Sequence, residues 1–106
     1  MRGSTVPTIA INQAPVALGD TVTFTTTGIP KKVKIPRIEV LAYQDGALVY
    51  GEAGGVSDSF LLGGGGSIWK DRGGPADCVA NLFYFDNSGP TQTYVRLATT
   101  NFHAEG

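Results

Sequence analysis

Residues 38–51 read IEVLAYQDGALVYG, and this stretch predicts two antiparallel strands joined by a tight turn. An Asp-Gly pair between two apolar runs is a strong hairpin signal, because a type I′ turn requires positive φ at both central residues. Asp45 and Gly46 occupy those two positions here. The pattern therefore predicts a hairpin made of Ile38–Gln44 and Ala47–Gly51.

Short runs rich in β-branched and aromatic residues fill the rest of the chain, and Gly, Pro, Asn and Asp separate them. Val22 and Phe24 alternate with threonines, which is typical of a strand with one apolar face and one hydroxyl-bearing face. Helical periodicity is absent, so Gly63–Gly66 and the segment around Trp69 are expected to be loops. The predicted strands are Thr8–Asn12, Asp20–Thr27, Ile38–Gln44, Ala47–Gly51, Ser59–Leu62, Ala76–Phe85 and Thr91–Thr100.

Length and composition indicate a single domain over residues 1–106, since domains average roughly 100–200 residues. Hydrophobic residues make up 42% of the chain and charged residues 16%, so there is enough apolar surface to form a core. About seven short strands separated by turns are typical of an antiparallel sandwich. The predicted fold class is therefore an all-β sandwich, with a closed barrel as the alternative.

Charge and cysteine content narrow the class of partner and the compartment. The formal net charge is -1, and the three lysines Lys31, Lys32 and Lys34 are a weak signal for phosphate binding, so no nucleic-acid partner is expected. A single cysteine excludes an internal disulfide. No apolar run approaches the length of a membrane span, and no apolar signal core follows the N-terminus. We expect a protein made in a cytoplasm, with no membrane partner.

Residue types that carry chemistry are scarce. His103 and Cys78 are the only histidine and cysteine, too few for a structural zinc site. His103 lies near the C-terminus, where a frayed and exposed end is expected, and Cys78 lies on the expected core face. The Gly63–Gly66 run lacks the Gly-Lys-Ser/Thr of a phosphate-binding loop. We predict no enzymatic activity, no catalytic residue, no cofactor and no metal, and a calcium site shared between loops is the alternative left open.

Period-two alternation divides each predicted strand into two faces. The expected core face consists of Ile9, Ile11, Val22, Phe24, Ile38, Val40, Cys78, Ala80, Leu82, Val95 and Leu97. The opposite face of the three longest strands also carries large apolar and aromatic side chains, and tyrosine and arginine are favoured in interfaces. We predict a partner-binding patch made of Leu41, Tyr43, Phe83, Phe85, Tyr94, Arg37 and Arg96. The alternative is that loops of the same chain, notably the Trp69 segment, cover these aromatics.

Trp69 is the only tryptophan and lies in a glycine-rich segment. If exposed, its indole is a candidate for stacking on a sugar ring, and the chain would then bind a carbohydrate or a host-surface glycan. If buried, the indole would plug one end of the sandwich. The plug is the favoured interpretation.

The chain resembles immunoglobulin-like domains in the order of four segments: Ile38–Tyr43, Asp45-Gly46, Ala47–Tyr50 and Ala76–Phe85. The resemblance implies an immunoglobulin-like β-sandwich of about seven antiparallel strands, in which Cys78 lies near the start of the sixth strand. The family's inter-sheet disulfide, its strand-C tryptophan and its tyrosine corner are missing, since Ile38 and Ala76 stand at two of those positions. An antibody-like or adhesion-receptor function is therefore not implied.

A narrower resemblance covers Tyr43–Gly51 and Gly73–Ala80, which are similar to small open reading frames of tailed bacteriophages that infect actinobacteria. This resemblance implies a non-enzymatic virion component, either a minor tail protein or a head decoration protein. Such a module would be made in the bacterial cytoplasm, reside in the virion, and dock through a sheet face on other phage structural proteins. Its copies would form a symmetric oligomer set by the assembly.

Overall fold

The computed structural model describes residues 6–106, and within them the chain is all-β apart from one short helix. The elements are β1 (Thr8–Ile11), β2 (Val16–Ala17), β3 (Thr21–Val22), β4 (Phe24–Thr27), β5 (Arg37–Gln44), β6 (Ala47–Gly55), β7 (Phe60–Leu61), α1 (Ile68–Arg72), β8 (Ala76–Asp86) and β9 (Thr93–Glu105). The predicted all-β class is confirmed. The predicted single domain covers residues 1–106, of which residues 1–5 lie outside the described part.

The main layer is a five-stranded sheet with the order β2-β9-β8-β5-β6. Its neighbours are antiparallel except for β2, which pairs in parallel with the end of β9 through Val16 and Ala17. Two further pairs, β1-β4 and β3-β7, supply core residues opposite this sheet. Thr23 alone separates β3 from β4, so one interrupted strand belongs to both pairs. β2 was not predicted, because its two residues are too few to show the alternation of apolar and polar side chains that marks a strand.

The hairpin predicted from the Asp-Gly pair is present. Asp45 and Gly46 have φ of 50° and 81°, the positive values that the predicted turn requires. β6 runs on to Gly55 rather than ending at Gly51, because its backbone continues to pair with β5 as far as Arg37. A register shift between Ala42 and its neighbour Tyr43 places a bulge in this pair.

The core lies between the inner face of the main sheet and the two strand pairs. Of the predicted core, Ile9, Val22, Phe24, Ile38, Val40, Cys78, Ala80 and Leu82 are buried, while Ile11 and Leu97 are partly buried against them. Val95 is only half-buried and lies outside the core cluster, so its assignment was wrong. Sequence patterning missed three large core residues, Tyr50, Phe60 and Leu62.

The β8–β9 hairpin extends beyond the rest of the sheet. β5 stops pairing with β8 at Phe83, whereas β8 and β9 remain paired as far as Asp86 and Thr93. The Cα radius of gyration is 14.9 Å, against about 13 Å for a compact chain of this length. Among the described residues, 84–86 and 93–95 therefore form a two-stranded ribbon with no third strand beside it.

Candidate docking surface

The outer face of the main sheet is organised in cross-strand rows, because β5, β8 and β9 pair in a fixed register. From one end of the sheet to the other, the rows are Arg37–Phe83–Arg96, Glu39–Asn81–Thr99, Leu41–Val79–Asn101 and Tyr43–Asp77–His103. Beyond the first row, Phe85 and Tyr94 face each other on the projecting hairpin. The character of this face therefore changes along the strands, from aromatic and cationic at one end to a mixed polar row at the other.

Three rings form one aromatic cluster, defined here as Phe83, Phe85 and Tyr94. Phe83 stacks on Tyr94 with ring centroids 4.8 Å apart, and Phe85 meets the other two edge-on at 5.4 and 6.2 Å. Phe85 and Tyr94 are each 43% exposed, whereas Phe83 is only 3% exposed. The predicted patch is thus a real cluster at this end, but Phe83 supports it from below and is not itself a contact surface.

The predicted patch extends well beyond this cluster. Leu41 and Tyr43 are half-buried residues in rows farther along the strands, and the polar row of Glu39 and Asn81 separates them from the cluster. From Arg37 to Tyr43 the strand advances about 20 Å at roughly 3.3 Å per residue. Alternation shows which residues share a face. It does not show how far apart those residues lie, because that distance depends on the register between neighbouring strands.

Glu39 fixes the position of the Tyr94 ring. Its Oε2 accepts a hydrogen bond of 2.5 Å from the Tyr94 hydroxyl and one of 3.0 Å from Asn81 Nδ2. Desolvation, together with the Glu39 carboxylate, raises the pKa of Tyr94 to about 12. Asn81 is 6% exposed and its Oδ1 has no partner among the described residues. Hydrogen bonds within the chain therefore occupy the Glu39 carboxylate, and the one from Tyr94 orients that exposed ring.

A groove of about 730 Å³ runs over the aromatic cluster. The segment between β4 and β5 forms its other wall through Lys32, Lys34 and Ile35, and Ile35 is 71% exposed. The alternation Lys32-Val33-Lys34-Ile35, in which Val33 is buried, was the signal that this segment packs on the sheet.

The groove has an excess of unpaired positive charge. Within residues 6–106, the side-chain ion pairs closer than 4.0 Å all involve His103. The groove-lining Lys32, Lys34 and Arg37 therefore have no carboxylate at that distance, and neither has Arg96 in the adjacent strand of the same row. Asp86 also lines the groove. The backbone N–H of Ser88 donates to it at 2.9 Å and is the largest cause of its lowered pKa, with a smaller contribution from Lys32.

Trp69 lies in the core and not on the surface. Its indole is 0% exposed, donates from Nε1 to the Gly74 carbonyl at 2.8 Å, and packs against Tyr50 with centroids 6.0 Å apart. The predicted plug is the arrangement found, and Trp69 as a sugar-stacking residue is wrong because neither ring face is accessible. The expected loop here contains the helix α1, a single turn too short to produce a periodic pattern.

His103 and Cys78 do not form a nucleophile–base pair. His103 lies within β9, which stays paired to its end, so the expected frayed terminus is wrong. Its ring nitrogens lie 3.1 Å from Asp77 Oδ1 and 3.3 Å from Glu105 Oε2 on the outer face. Cys78 is buried on the inner face, and this burial raises the pKa of its thiol to about 11. The two side chains therefore lie on opposite sides of the sheet.

Among residues 6–106, no group of three or more His, Cys, Asp or Glu side chains is placed to hold a metal ion. The same residues contain no helix that is long and apolar enough to span a bilayer. Comparison with protein-family models, curated proteins and solved structures found no match to this chain.

Proposed function

We propose that this chain is a non-enzymatic structural module of a tailed-phage virion, a minor tail or head decoration protein, which docks on a larger assembly through the aromatic cluster. The observation that carries this proposal is the pair of rings, Phe85 and Tyr94, each 43% exposed and held in place by a buried third. Aromatic side chains fixed before binding lose little conformational entropy on contact. Neighbouring exposed aromatics beside arginine are a common composition of binding hot spots.

The position of the cluster supports the same proposal. It lies where β8 and β9 project past β5, and a two-stranded ribbon is at best marginally stable in water by itself. A partner that covers the outer face of the ribbon would shield Phe85 and Tyr94 and would restrict the hairpin. Repetition of this contact by the symmetry of the assembly would give the expected oligomer of copies.

We also propose that the two layers form an immunoglobulin-like sandwich. The five-stranded sheet with a parallel first strand at its edge, opposed by strands from β1, β3, β4 and β7, supports this proposal. In this arrangement the docking end is the tip of the last hairpin. Loops and hairpins at the ends of such sandwiches are common sites of recognition.

The experiment tests incorporation into particles. In a phage that encodes the chain, the gene is replaced by the double variant Phe85→Ser/Ile35→Ser, and copies per purified particle are measured by quantitative mass spectrometry against the major capsid protein. Loss of two exposed anchors at about 1–2 kcal/mol each predicts a decrease of at least roughly tenfold. The matched control is Leu48→Ser/Ile68→Ser, which removes two residues that are 53% and 61% exposed and lie outside this groove.

Three outcomes would overturn parts of the proposal. Absence of the wild-type chain from purified particles would exclude a virion component. Normal incorporation of the Phe85→Ser/Ile35→Ser variant would exclude this surface. An equal decrease in the control variant would show that general apolar exposure, and not this cluster, decides incorporation.

A further inference from the structure

We propose that the occupant of the groove is an acidic segment of a partner protein that also carries a large apolar side chain. This inference rests on the proposed docking surface and adds the chemistry of what binds there. It follows from the charge, the apolar lining and the occupied hydrogen-bond acceptors of the groove.

Cations outnumber carboxylates in the lining of the groove, with Lys32, Lys34 and Arg37 against Glu39 and Asp86. Arg37 and Arg96 lie on the two strands that flank Phe83, in the same cross-strand row. Two interstrand spacings separate their Cα atoms by about 10 Å. Lys34, on the opposite wall, is exposed. A ligand lying along the groove would therefore meet cations on both sides, which favours carboxylates on the ligand.

The two acids that line the groove, Glu39 and Asp86, do not form ion pairs with its cations. Glu39 Oε2 already accepts hydrogen bonds from Tyr94 and Asn81, and Asp86 accepts one from the backbone N–H of Ser88. Neither carboxylate lies within 4.0 Å of a cation among the described residues. The basic side chains consequently remain available to an external carboxylate.

The lining requires an apolar component as well. Ile35, Phe85 and Tyr94 present exposed apolar surface around the groove, and water is displaced from it only by a side chain of similar character. A ligand with charge alone would leave this surface hydrated. The combination selects a segment in which Asp or Glu lies next to a large aliphatic or aromatic residue.

A protein segment fits these charges better than a nucleic acid does. Glu39 and Asp86 line the same groove and would repel a continuous phosphate backbone. A peptide, in contrast, can carry carboxylates beside the cations and none beside these two acids. The chain as a whole has a formal net charge of -1, and nucleic-acid binding draws on a wide basic surface. Single-stranded DNA is nevertheless included in the test, since aromatic rings can stack on bases.

The test is a selection from a random peptide library with the purified wild-type chain, followed by fluorescence-polarisation titration of the enriched peptides. We expect the enriched peptides to combine Asp or Glu with an aromatic or large aliphatic residue. We expect Lys34→Gln/Arg37→Gln to weaken their binding at least roughly tenfold, because two charge contacts are lost. Their affinity should also fall as salt is raised from about 0.05 to 0.5 M, since salt screens exposed charges.

The matched control is Lys70→Gln/Arg72→Gln, which removes the same charge from α1, away from the groove. A second groove variant, Lys32→Gln/Lys34→Gln, replaces the first if Arg37→Gln lowers the thermal midpoint. An oligo-dT strand is titrated in parallel with the peptides.

The proposal would be overturned by enriched peptides that lack acidic residues, by the absence of any enriched peptide, by equal weakening in the Lys70→Gln/Arg72→Gln control, or by oligo-dT binding that the groove variants abolish. These outcomes are separate from particle incorporation. A chain that is absent from virions but selects acidic-apolar peptides would overturn the proposed function alone.

Discussion

The indole Nε1 of Trp69 donates a 2.8 Å hydrogen bond to the carbonyl oxygen of Gly74. The two flanking carbonyls, of Gly73 and Pro75, accept hydrogen bonds of 2.8 and 3.0 Å from Nε2 of Gln44. Two side chains therefore hold three consecutive carbonyl groups. The segment between α1 and β8 closes one end of the core through these contacts, and it fixes where β8 begins.

Replacement of Trp69 separates the hydrogen bond from the packing of the indole. Trp69→Phe keeps most of the apolar volume but leaves the Gly74 carbonyl unpaired, so we expect a loss of about 1–3 kcal/mol in the free energy of unfolding. Trp69→Ala also leaves a cavity and should cost about 3–5 kcal/mol. Urea denaturation measures both. Lys70→Ala, at an exposed neighbouring position, is the control and should change stability by less than about 0.5 kcal/mol. Equal losses for Phe and Ala would show that packing contributes little.

The turn between β5 and β6 provides a test of backbone conformation alone. A Cβ at Gly46 would meet nothing within 4 Å, while its φ is 81°. Gly46→Ala should therefore destabilise the chain by about 1–2 kcal/mol through left-handed backbone strain without a steric clash. Asp45→Gly is the paired variant, and because glycine adopts positive φ freely, it should cost less than Gly46→Ala. Thermal denaturation of both variants measures the two losses of stability. A neutral Gly46→Ala would mean that the turn changes type.

The Tyr94–Glu39 contact predicts a pH dependence at alkaline pH. The folded-state pKa of Tyr94 is raised to about 12, against about 10 for an unfolded tyrosine. Because the folded state favours the protonated phenol, this contribution to stability is complete below about pH 10 and is lost as the pH rises through the folded value. The absorbance of phenolate should show one tyrosine that titrates near pH 12, and Tyr94→Phe should remove this titration. Glu39→Gln should lower the pKa of Tyr94. An unchanged titration in Glu39→Gln would contradict the assigned cause.

Phe83 and Phe85 are two residues apart and on the same face, yet they should respond differently to truncation. Phe83 is 3% exposed and Phe85 is 43% exposed. Phe83→Ala should cost about 3–5 kcal/mol of stability, whereas Phe85→Ala should cost less than about 1 kcal/mol. Chemical denaturation of the two variants provides the comparison. Similar losses would mean that Phe85 is structural, which would remove it as a binding anchor.

Local signals in the sequence predicted the parts of the fold that depend on few neighbouring residues. The Asp45-Gly46 turn was found because two adjacent residues determine its conformation. The inner faces of β5 and β8 were found because side chains alternate regularly along a strand. β2 was missed because its two residues are held by the distant end of β9.

The candidate site was predicted only in part, for a related reason. Alternation placed Tyr43 and Phe83 on one face, but the register between β5 and β8 decides that Tyr43 lies opposite Asp77. The contact between Tyr94 and Glu39 joins residues 55 positions apart. Such pairings depend on the tertiary arrangement of strands, and the pattern within any single strand does not contain them.

The inward-facing thiol of Cys78 makes this protein convenient for site-specific labelling. With its pKa raised to about 11, the buried group presents almost no thiolate at neutral pH, and thiolate is the form that reacts with maleimides. A cysteine introduced at the exposed Thr91, in the connection between β8 and β9, would be the sole reactive position in the folded chain. A dye or photocrosslinker attached there would capture the neighbour of the hairpin tip without any native residue having to be removed first.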